Sequence, residues 1–264
     1  SVFLVNSVLA KSYQLGHVFA PTNANHLGAL KWAELVDKYT DGKVKIQVFP
    51  SGQLGGDREL GESLKSGVLP FALLNHGAAT NDISVGIDSL TFLFSSYEEV
   101  DTKLINGWIG EEISKAALKH NWRILAHGEN DFRQLTNSKR PVKTAEDIKG
   151  LKLRIPQAPP MLAFWKGMGA IPTPIAFPEL YTALQQRTVD GQENGVLLTY
   201  SSGLYEAQKY LTEINYMYSS TSFTIADKVW KTFDPKTQEA IAKAAVEAAE
   251  WSVKKNRGDV SKAK

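Results

Sequence analysis

The 264-residue sequence contains no cysteine, which excludes disulfides, thiolate metal ligands and a cysteine nucleophile. Its 30 basic and 28 acidic residues leave a formal net charge of +2, and no block of five like charges occurs. Nucleic acid is therefore not an expected partner. No run of 18 apolar residues is present, so no transmembrane helix is predicted. The length allows one large hydrophobic core or two smaller ones.

Motifs for metal, phosphate or covalent chemistry are also missing. There is no HExxH and no GxSxG motif, although a triad built from distant residues stays open. The glycine-rich stretch 51–56 leads into a predicted helix but lacks the Lys-Ser/Thr of a phosphate-binding loop, and we interpret it as a structural turn. We predict no catalytic residue, no metal site and no cofactor. The histidines are scattered: His17, His26, His76, His120 and His127.

The first ten residues have two interpretations. Residues 2–5 are apolar, and Val8-Leu9-Ala10 has the small-residue pattern of a signal-peptidase site before Lys11. Residues 1–10 are thus the remnant of a secretion signal in one interpretation, and a first strand or an artificial extension in the other.

The N-terminal part alternates between strand and helix patterns. This β-α-β-α-β order predicts an α/β fold with a parallel sheet and helices on both faces. Helix caps are expected at Asn25 and Asp57, and Gly67 is expected to end the second helix. The strands are predicted at 13–19, 44–48 and 71–75.

The C-terminal part shows no repeat and no linker, so composition marks no domain boundary. A polar turn is predicted over 190–194. The other predicted elements are a helix over 97–120, a strand over 122–126, a capped single turn at Thr144–Asp147, a strand over 151–155, a helix starting at Pro178, and a helix from Pro235 to about Lys255.

Arg154 is the strongest functional signal. Leu151, Leu153 and Ile155 share one face of their strand, so Arg154 lies on the other face. It stands at the carboxyl end of the strand, where open α/β sheets bind ligands. A buried guanidinium requires an anionic partner, and its fork of donors fits a carboxylate. The sequence therefore predicts a carboxylate-binding site.

Three further residues are candidates for the same site. Arg133 is predicted near the end of the preceding strand, so both arginines could meet one anion; alternatively, each pairs with a local acid such as Glu129 or Glu193. Asn194 offers a donor and an acceptor, or serves only as a turn cap. Phe177 supplies an apolar wall, or packs in the core.

Long segments resemble the solute-binding receptors of TRAP (tripartite ATP-independent periplasmic) transporters, the DctP family. The resemblance runs in order over about residues 13–255. It is carried above all by GLKLRIPQ at 150–157, GAIPTPIAFPELYTALQQRTVDGQEN at 169–194 and LYEAQKYL at 204–211.

The resemblance implies a periplasmic binding protein fold, in which two α/β domains joined by hinge strands and a long helix enclose a ligand cleft. Residues 13–125, with part of 210–264, correspond mainly to the first domain and 126–210 to the second; the helix near 235–257 spans or braces both. The implied protein is a monomeric receptor in the periplasm of a Gram-negative type bacterium. It is not an enzyme, binds a small organic acid and delivers it to integral membrane subunits.

The resemblance also assigns the cleft. Asn75 and Ala78 stand where sialic-acid binders have an acid and an arginine, which argues against sialic acid. Two alternatives stay open: an isomerase or lyase acting on a sugar acid, with Asp57 or His76 as base, and a periplasmic sensor. The expected ligand-binding residues are Arg154, Arg133, Asn194, Gln157, Phe177, Asn75, His76, Asp57, Asn25 and Tyr216.

Overall fold

The computed structural model describes residues 11–263, with side chains through residue 260. The expected signal remnant at 1–10 lies outside these residues. The strands are β1 (Lys11–Gly16), β2 (Val44–Phe49), β3 (Phe71–Leu74), β4 (Trp122–Asn137), β5 (Lys152–Ile155), β6 (Ile171–Pro174), β7 (Gly191–Gly195), β8 (Tyr210–Thr212) and β9 (Tyr218–Ala226). The α-helices are α1 (Ala24–Tyr39), α2 (Asp57–Ser66), α3 (His76–Ala79), α4 (Tyr97–Val100), α5 (Trp108–Leu118), α6 (Pro159–Gly167), α7 (Leu180–Gln185), α8 (Val196–Ser201), α9 (Asp227–Trp230) and α10 (Pro235–Ala263).

One mixed sheet runs through the molecule in the order β2-β1-β3-β9-β4-β7-β5-β6, with β8 on β4. β1 pairs in parallel with β2 and β3, as predicted, and β5 pairs in parallel with β6 and β7. β9 and β4 are antiparallel to their neighbours. We call β1, β2, β3 and β9 with their helices the first lobe, and β5, β6 and β7 with theirs the second. The α/β prediction is confirmed.

Strand β4 belongs to both lobes. It pairs with β9 as far as Phe132 and with β7 from Arg133 onward. Its register shifts between Glu129 and Asp131, and Asp131 has a φ of 87°. The predicted strand over 122–126 was too short, because the polar stretch that follows resembles a turn but is buried and paired. Arg133 consequently lies within the strand rather than after it.

Three predicted helix boundaries were wrong. Asn23, not Asn25, caps α1, because its side chain accepts the hydrogen bond of the Asn25 N–H at 2.9 Å. Gly56 precedes α2, and Asp57 is its first helical residue. The helix expected over 97–120 is divided into α4, a π-turn and α5. The chain breaks at Gly107, where a Cβ would lie 2.1 Å from the Thr102 carbonyl oxygen, so only glycine fits there.

The prediction of a turn over 190–194 is also wrong. Residues 191–195 form a strand, β7, and all of them are buried. Other local predictions are confirmed. Gly67 ends α2 in the left-handed conformation with a φ of 82°, and Thr144 forms a capping box with Asp147. Pro178 lies in the first turn of a short helical segment that leads into α7.

Helix α10 braces the first lobe. Ile241, Ala245 and Ala248 are fully buried in the core that α10 shares with Trp32 of α1, as the sequence predicted. The helix continues to Ala263, beyond the expected end near Lys255. No helix within residues 11–263 combines the length and the apolar character that a membrane span requires.

Candidate ligand-binding site

Two small voids lie where the lobes meet, each of about 20 Å³. One water needs roughly 10–15 Å³ of such volume, so the lobes are closed on each other. The closure is held by Arg58 Nη2, 3.0 Å from the Gln157 carbonyl oxygen, and by Asn23 Nδ2, 2.9 Å from Ser201 Oγ. The inner void is lined by Val18, Phe19, Asp57, Asn75, Asn130, Arg133, Arg154, Pro156, Phe177, Asn194 and Leu198. The outer void is lined by Asp57, Arg58, Glu59, Ala78, Arg154, Pro156, Gln157, Ile175, Ala176 and Phe177.

Larger concavities of about 470 and 510 Å³ lie on the surface elsewhere. Neither is lined by Arg133 or Arg154. Because a buried charge identifies a binding site better than volume does, the space between the lobes is the stronger candidate.

Arg154 lies in both voids and is only 2% exposed. Its Nε donates to the Ile175 carbonyl oxygen at 2.8 Å, which fixes the plane of the guanidinium. Among the described side chains, no carboxylate oxygen lies within 4.0 Å of it. Burial lowers the pKa of Arg154 to about 10, and the neighbouring charge of Arg133 adds to this effect, although Glu193 and Asp57 oppose it. The site holds a desolvated positive charge that an anion would stabilise.

Arg133 pairs with Glu193, one of the two local acids that the sequence offered as alternative partners. Its Nε and Nη2 lie 2.5 and 2.9 Å from the two carboxylate oxygens of Glu193, and Tyr216 donates a short hydrogen bond to the same carboxylate. Burial works to lower the pKa of Arg133, but Glu193 outweighs it, so the pKa is raised. Arg133 still lines the inner void, and its direct role in ligand binding stays a prediction.

Asn194, Phe177 and Gln157 each line at least one of the two voids together with Arg154. Asn194 lies on β7 and donates to Gln192 Oε1 at 2.5 Å. The Phe177 ring lies beneath the guanidinium, with its centroid 5.8 Å from Arg154 Cζ, a cation–π distance. Gln157 lines only the outer void.

Asp57 and Asn75 form the opposite, first-lobe wall. Asp57 Oδ1 accepts the Asn75 N–H at 3.0 Å, and Asn75 Nδ2 donates to Ser219 Oγ at 3.2 Å. Burial raises the pKa of Asp57 to about 6, although this hydrogen bond and Arg154 oppose the shift.

Three expected ligand residues lie away from both voids. His76 is fully buried, with Nε2 3.2 Å from Asp88 Oδ1. Asn25 donates to the Glu129 carbonyl oxygen at 3.0 Å and accepts from Thr221 at 3.2 Å. Tyr216 is committed to Glu193. The structure thus gives these three side chains internal partners.

The sequence analysis missed several lining residues. Val18 and Phe19 follow β1, so the rule that ligands bind at the carboxyl ends of strands would have indicated them. Arg58 adjoins Asp57 and bridges to the second lobe. The sequence around Leu198 of α8 could not have indicated its place in the cleft. No local pattern distinguishes an apolar residue that lines a cleft from one that packs in a core.

A cleft closed between two α/β lobes is typical of two-lobed solute-binding proteins, and the buried arginine in this cleft, without a described carboxylate within 4.0 Å, suits an anionic solute. The family of bacterial extracellular solute-binding proteins, family 7 (DctP), matches residues 15–264. The chain belongs to this family.

Individual relatives agree over most of the chain. The 2,3-diketo-L-gulonate-binding periplasmic protein YiaO of Escherichia coli strain K12 is 30% identical over 96% of this chain and 77% of its own length. A galactonate complex of the sugar acid binding protein DctPAm from Advenella mimigardefordensis superposes with a TM-score of 0.92 at 32% identity, covering 96% of this chain and 82% of that one. A TRAP periplasmic solute-binding protein from Sulfurospirillum deleyianum with bound succinate gives 0.90 at 29% identity, covering 96% and 81%.

Proposed function

We propose that this protein is the extracytoplasmic receptor of a TRAP transporter, that it binds a small organic acid in the cleft, and that it delivers this acid to integral membrane subunits. The observation that carries the proposal is Arg154, a buried guanidinium without a carboxylate within 4.0 Å among the described side chains. Relatives crystallised with galactonate and with succinate support an organic acid as the ligand. Export to the periplasm through a signal peptide belongs to the same proposal.

Binding proceeds through opening and closure of the lobes. A void of about 20 Å³ has no room for an organic acid, because one water already needs roughly 10–15 Å³ of such volume. The lobes therefore separate to admit the ligand and close over it. Closure removes water, which strengthens the hydrogen bonds between the carboxylate and Arg154. Asn194 and Phe177 orient the acid beside the guanidinium.

Calorimetric titration tests the proposal. We would screen the protein by thermal shift against aldonates, uronates, 2-hydroxy acids and dicarboxylates, because a ligand of the folded state raises its stability. Arg154→Met should weaken binding of the best acid by about 2–5 kcal/mol, or roughly 30-fold to several thousand-fold in Kd. Lys166→Met, an exposed position on α6, is the control and should bind like wild type.

Two results would contradict the proposal: no acid in the panel binds, or Arg154→Met binds with unchanged affinity. The bound acid should also be recovered unchanged after prolonged incubation. Its conversion, followed by NMR, would favour the isomerase or lyase alternative.

A further inference from the structure

The glycine-rich turn over 51–56 is anchored to the first lobe. Two backbone hydrogen bonds hold it just beyond the end of β1. The Ser51 N–H donates to the Phe19 carbonyl oxygen at 3.0 Å, and the Gly52 N–H donates to the His17 carbonyl oxygen at 2.9 Å. Because His17 and Phe19 are themselves buried, the first lobe fixes the position of the turn.

Gly52 packs directly against Pro178 of the second lobe. A Cβ on Gly52 would lie 2.5 Å from Pro178 Cγ and 3.3 Å from Pro178 Cβ, whereas carbon atoms that are not bonded pack at about 3.5–4.0 Å. The proline ring is closed onto its own backbone, so it does not swing aside as the end of a long side chain does. Gly52 also has a φ of 71°. The two lobes therefore approach each other here as closely as only glycine allows.

The second-lobe segment that meets the turn also positions Arg154. Gly56 extends the contact, since a Cβ there would lie 3.5 Å from Ala176 Cβ. In the same segment the Ile175 carbonyl oxygen accepts the Arg154 Nε–H at 2.8 Å, and the centroid of the Phe177 ring lies 5.8 Å from Arg154 Cζ. A change in where this segment stops against the turn would carry the arginine with it.

We propose that the turn 51–56 is a seat for residues 175–178 that fixes how far the lobes close, and that Gly52 and Pro178 are positioning residues for ligand binding. Neither residue lines either void, so both act without touching the ligand. The inference rests on the proposed function, in which the lobes open to admit an acid and close over it. The clash of a side chain at position 52 exists only in the closed state, so it lowers the closed fraction and with it the apparent affinity.

Calorimetric titration of Gly52→Ala tests the seat. The probe is the acid that wild type binds most tightly in the panel of aldonates, uronates, 2-hydroxy acids and dicarboxylates. The added Cβ should weaken its binding at least about tenfold, because overpacking a close contact is destabilising. Most of this change should appear as faster dissociation.

Gly42→Ala is the matched control. Gly42 also belongs to the first lobe and has a φ of 77°, but a Cβ there would meet only Asp37 Oδ1, at 3.8 Å. The substitution introduces the same backbone strain without a contact to the second lobe. Its affinity for the probe should stay within about twofold of wild type.

Removing the opposing atom should restore binding. Pro178→Ala eliminates the Cγ that a Cβ at position 52 would meet at 2.5 Å. The double variant Gly52→Ala/Pro178→Ala should therefore bind the probe within about threefold of Pro178→Ala alone, since the effects of two residues in contact are not additive.

A disulfide trap tests the same contact without any acid. The sequence contains no cysteine, so Gly52→Cys with Pro178→Cys introduces the only pair. Their Cβ atoms would lie 3.3 Å apart, next to the range of about 3.5–4.5 Å found in disulfides. Under mild oxidation this pair should form an intramolecular disulfide, measured as the loss of two free thiols. Gly42→Cys with Pro178→Cys should keep both thiols, because position 42 lies at the opposite end of β2.

Three results would overturn the inference while the proposed function stands: unchanged affinity in Gly52→Ala, equal weakening in Gly42→Ala, or no recovery in the double variant. A trap that keeps its thiols as the control pair does would overturn it as well. If no acid binds, the proposed function fails, and the disulfide trap alone decides whether the seat exists.

Discussion

Two buried arginines flank strand β7 and have opposite surroundings. Arg133 on β4 is 1% exposed and is bound by both oxygens of Glu193. Arg154 on β5 is 2% exposed, and no described carboxylate lies within 4.0 Å of it. The pKa of the first is raised by its acid, and the pKa of the second is lowered by burial.

The comparison separates a buried charge that is paired within the fold from one that we propose is paired by the ligand. Burial and residue type are the same, so neither distinguishes the two roles. The difference is whether the fold itself supplies the counter-charge. A buried charge without a direct ion-pair partner lowers the stability of the fold, and such sites are concentrated where function requires them.

Removing the structural arginine should have the largest effect. Arg133→Met leaves Glu193 buried without its cation, so we expect the free energy of unfolding to fall by about 3–5 kcal/mol. Urea denaturation measures this change. Arg187→Met, the same substitution at an exposed position, is the control and should change stability by less than about 0.5 kcal/mol. A loss below about 1 kcal/mol for Arg133→Met would show that the ion pair is not structural.

His17 is a buried basic residue that, unlike an arginine, can lose its charge on burial. Its effect on stability should therefore be smaller than that of Arg133. Burial lowers the pKa of His17 to about 3, with His26 contributing in the same direction. The unfolded chain therefore binds a proton that the folded chain does not, and stability is lost as the pH falls from about 6.5 towards 3. The loss reaches about 2 kcal/mol at pH 5.

His17→Asn should reduce this acid dependence, since its amide has no proton to gain; the lowered pKa values of His26 and His127 leave the rest. Urea denaturation between about pH 7.5 and 5 gives the slope of stability against pH for each protein. Equal slopes for variant and wild type would show that His17 does not carry the effect.

The sequence was sufficient for the parallel strands, the long helix and the place of Arg154 near the end of its strand, because each depends on a local pattern. It failed for β4 and β7. Both strands carry polar runs that resemble turns. They can be buried because neighbouring strands pair with their backbones and because Glu193 bonds to both Arg133 and Tyr216. A ligand-binding role for His76 stays a prediction, and the sequence did not show that Asp88 Oδ1 lies 3.2 Å from its Nε2. Partners distant in sequence decide these cases.

Removing Arg154 should have the smallest effect on stability. Arg154→Met eliminates a desolvated charge and keeps most of the side-chain volume; it gives up one hydrogen bond, to the Ile175 carbonyl oxygen. These two contributions oppose each other. The free energy of unfolding of the ligand-free variant should therefore lie within about 1 kcal/mol of the wild-type value or slightly above it. The comparison with Arg133→Met must be made without ligand, because bound acid would stabilise wild type alone. If Arg154→Met instead loses as much stability as Arg133→Met, then Arg154 has a structural counter-charge and the two arginines do not differ in role.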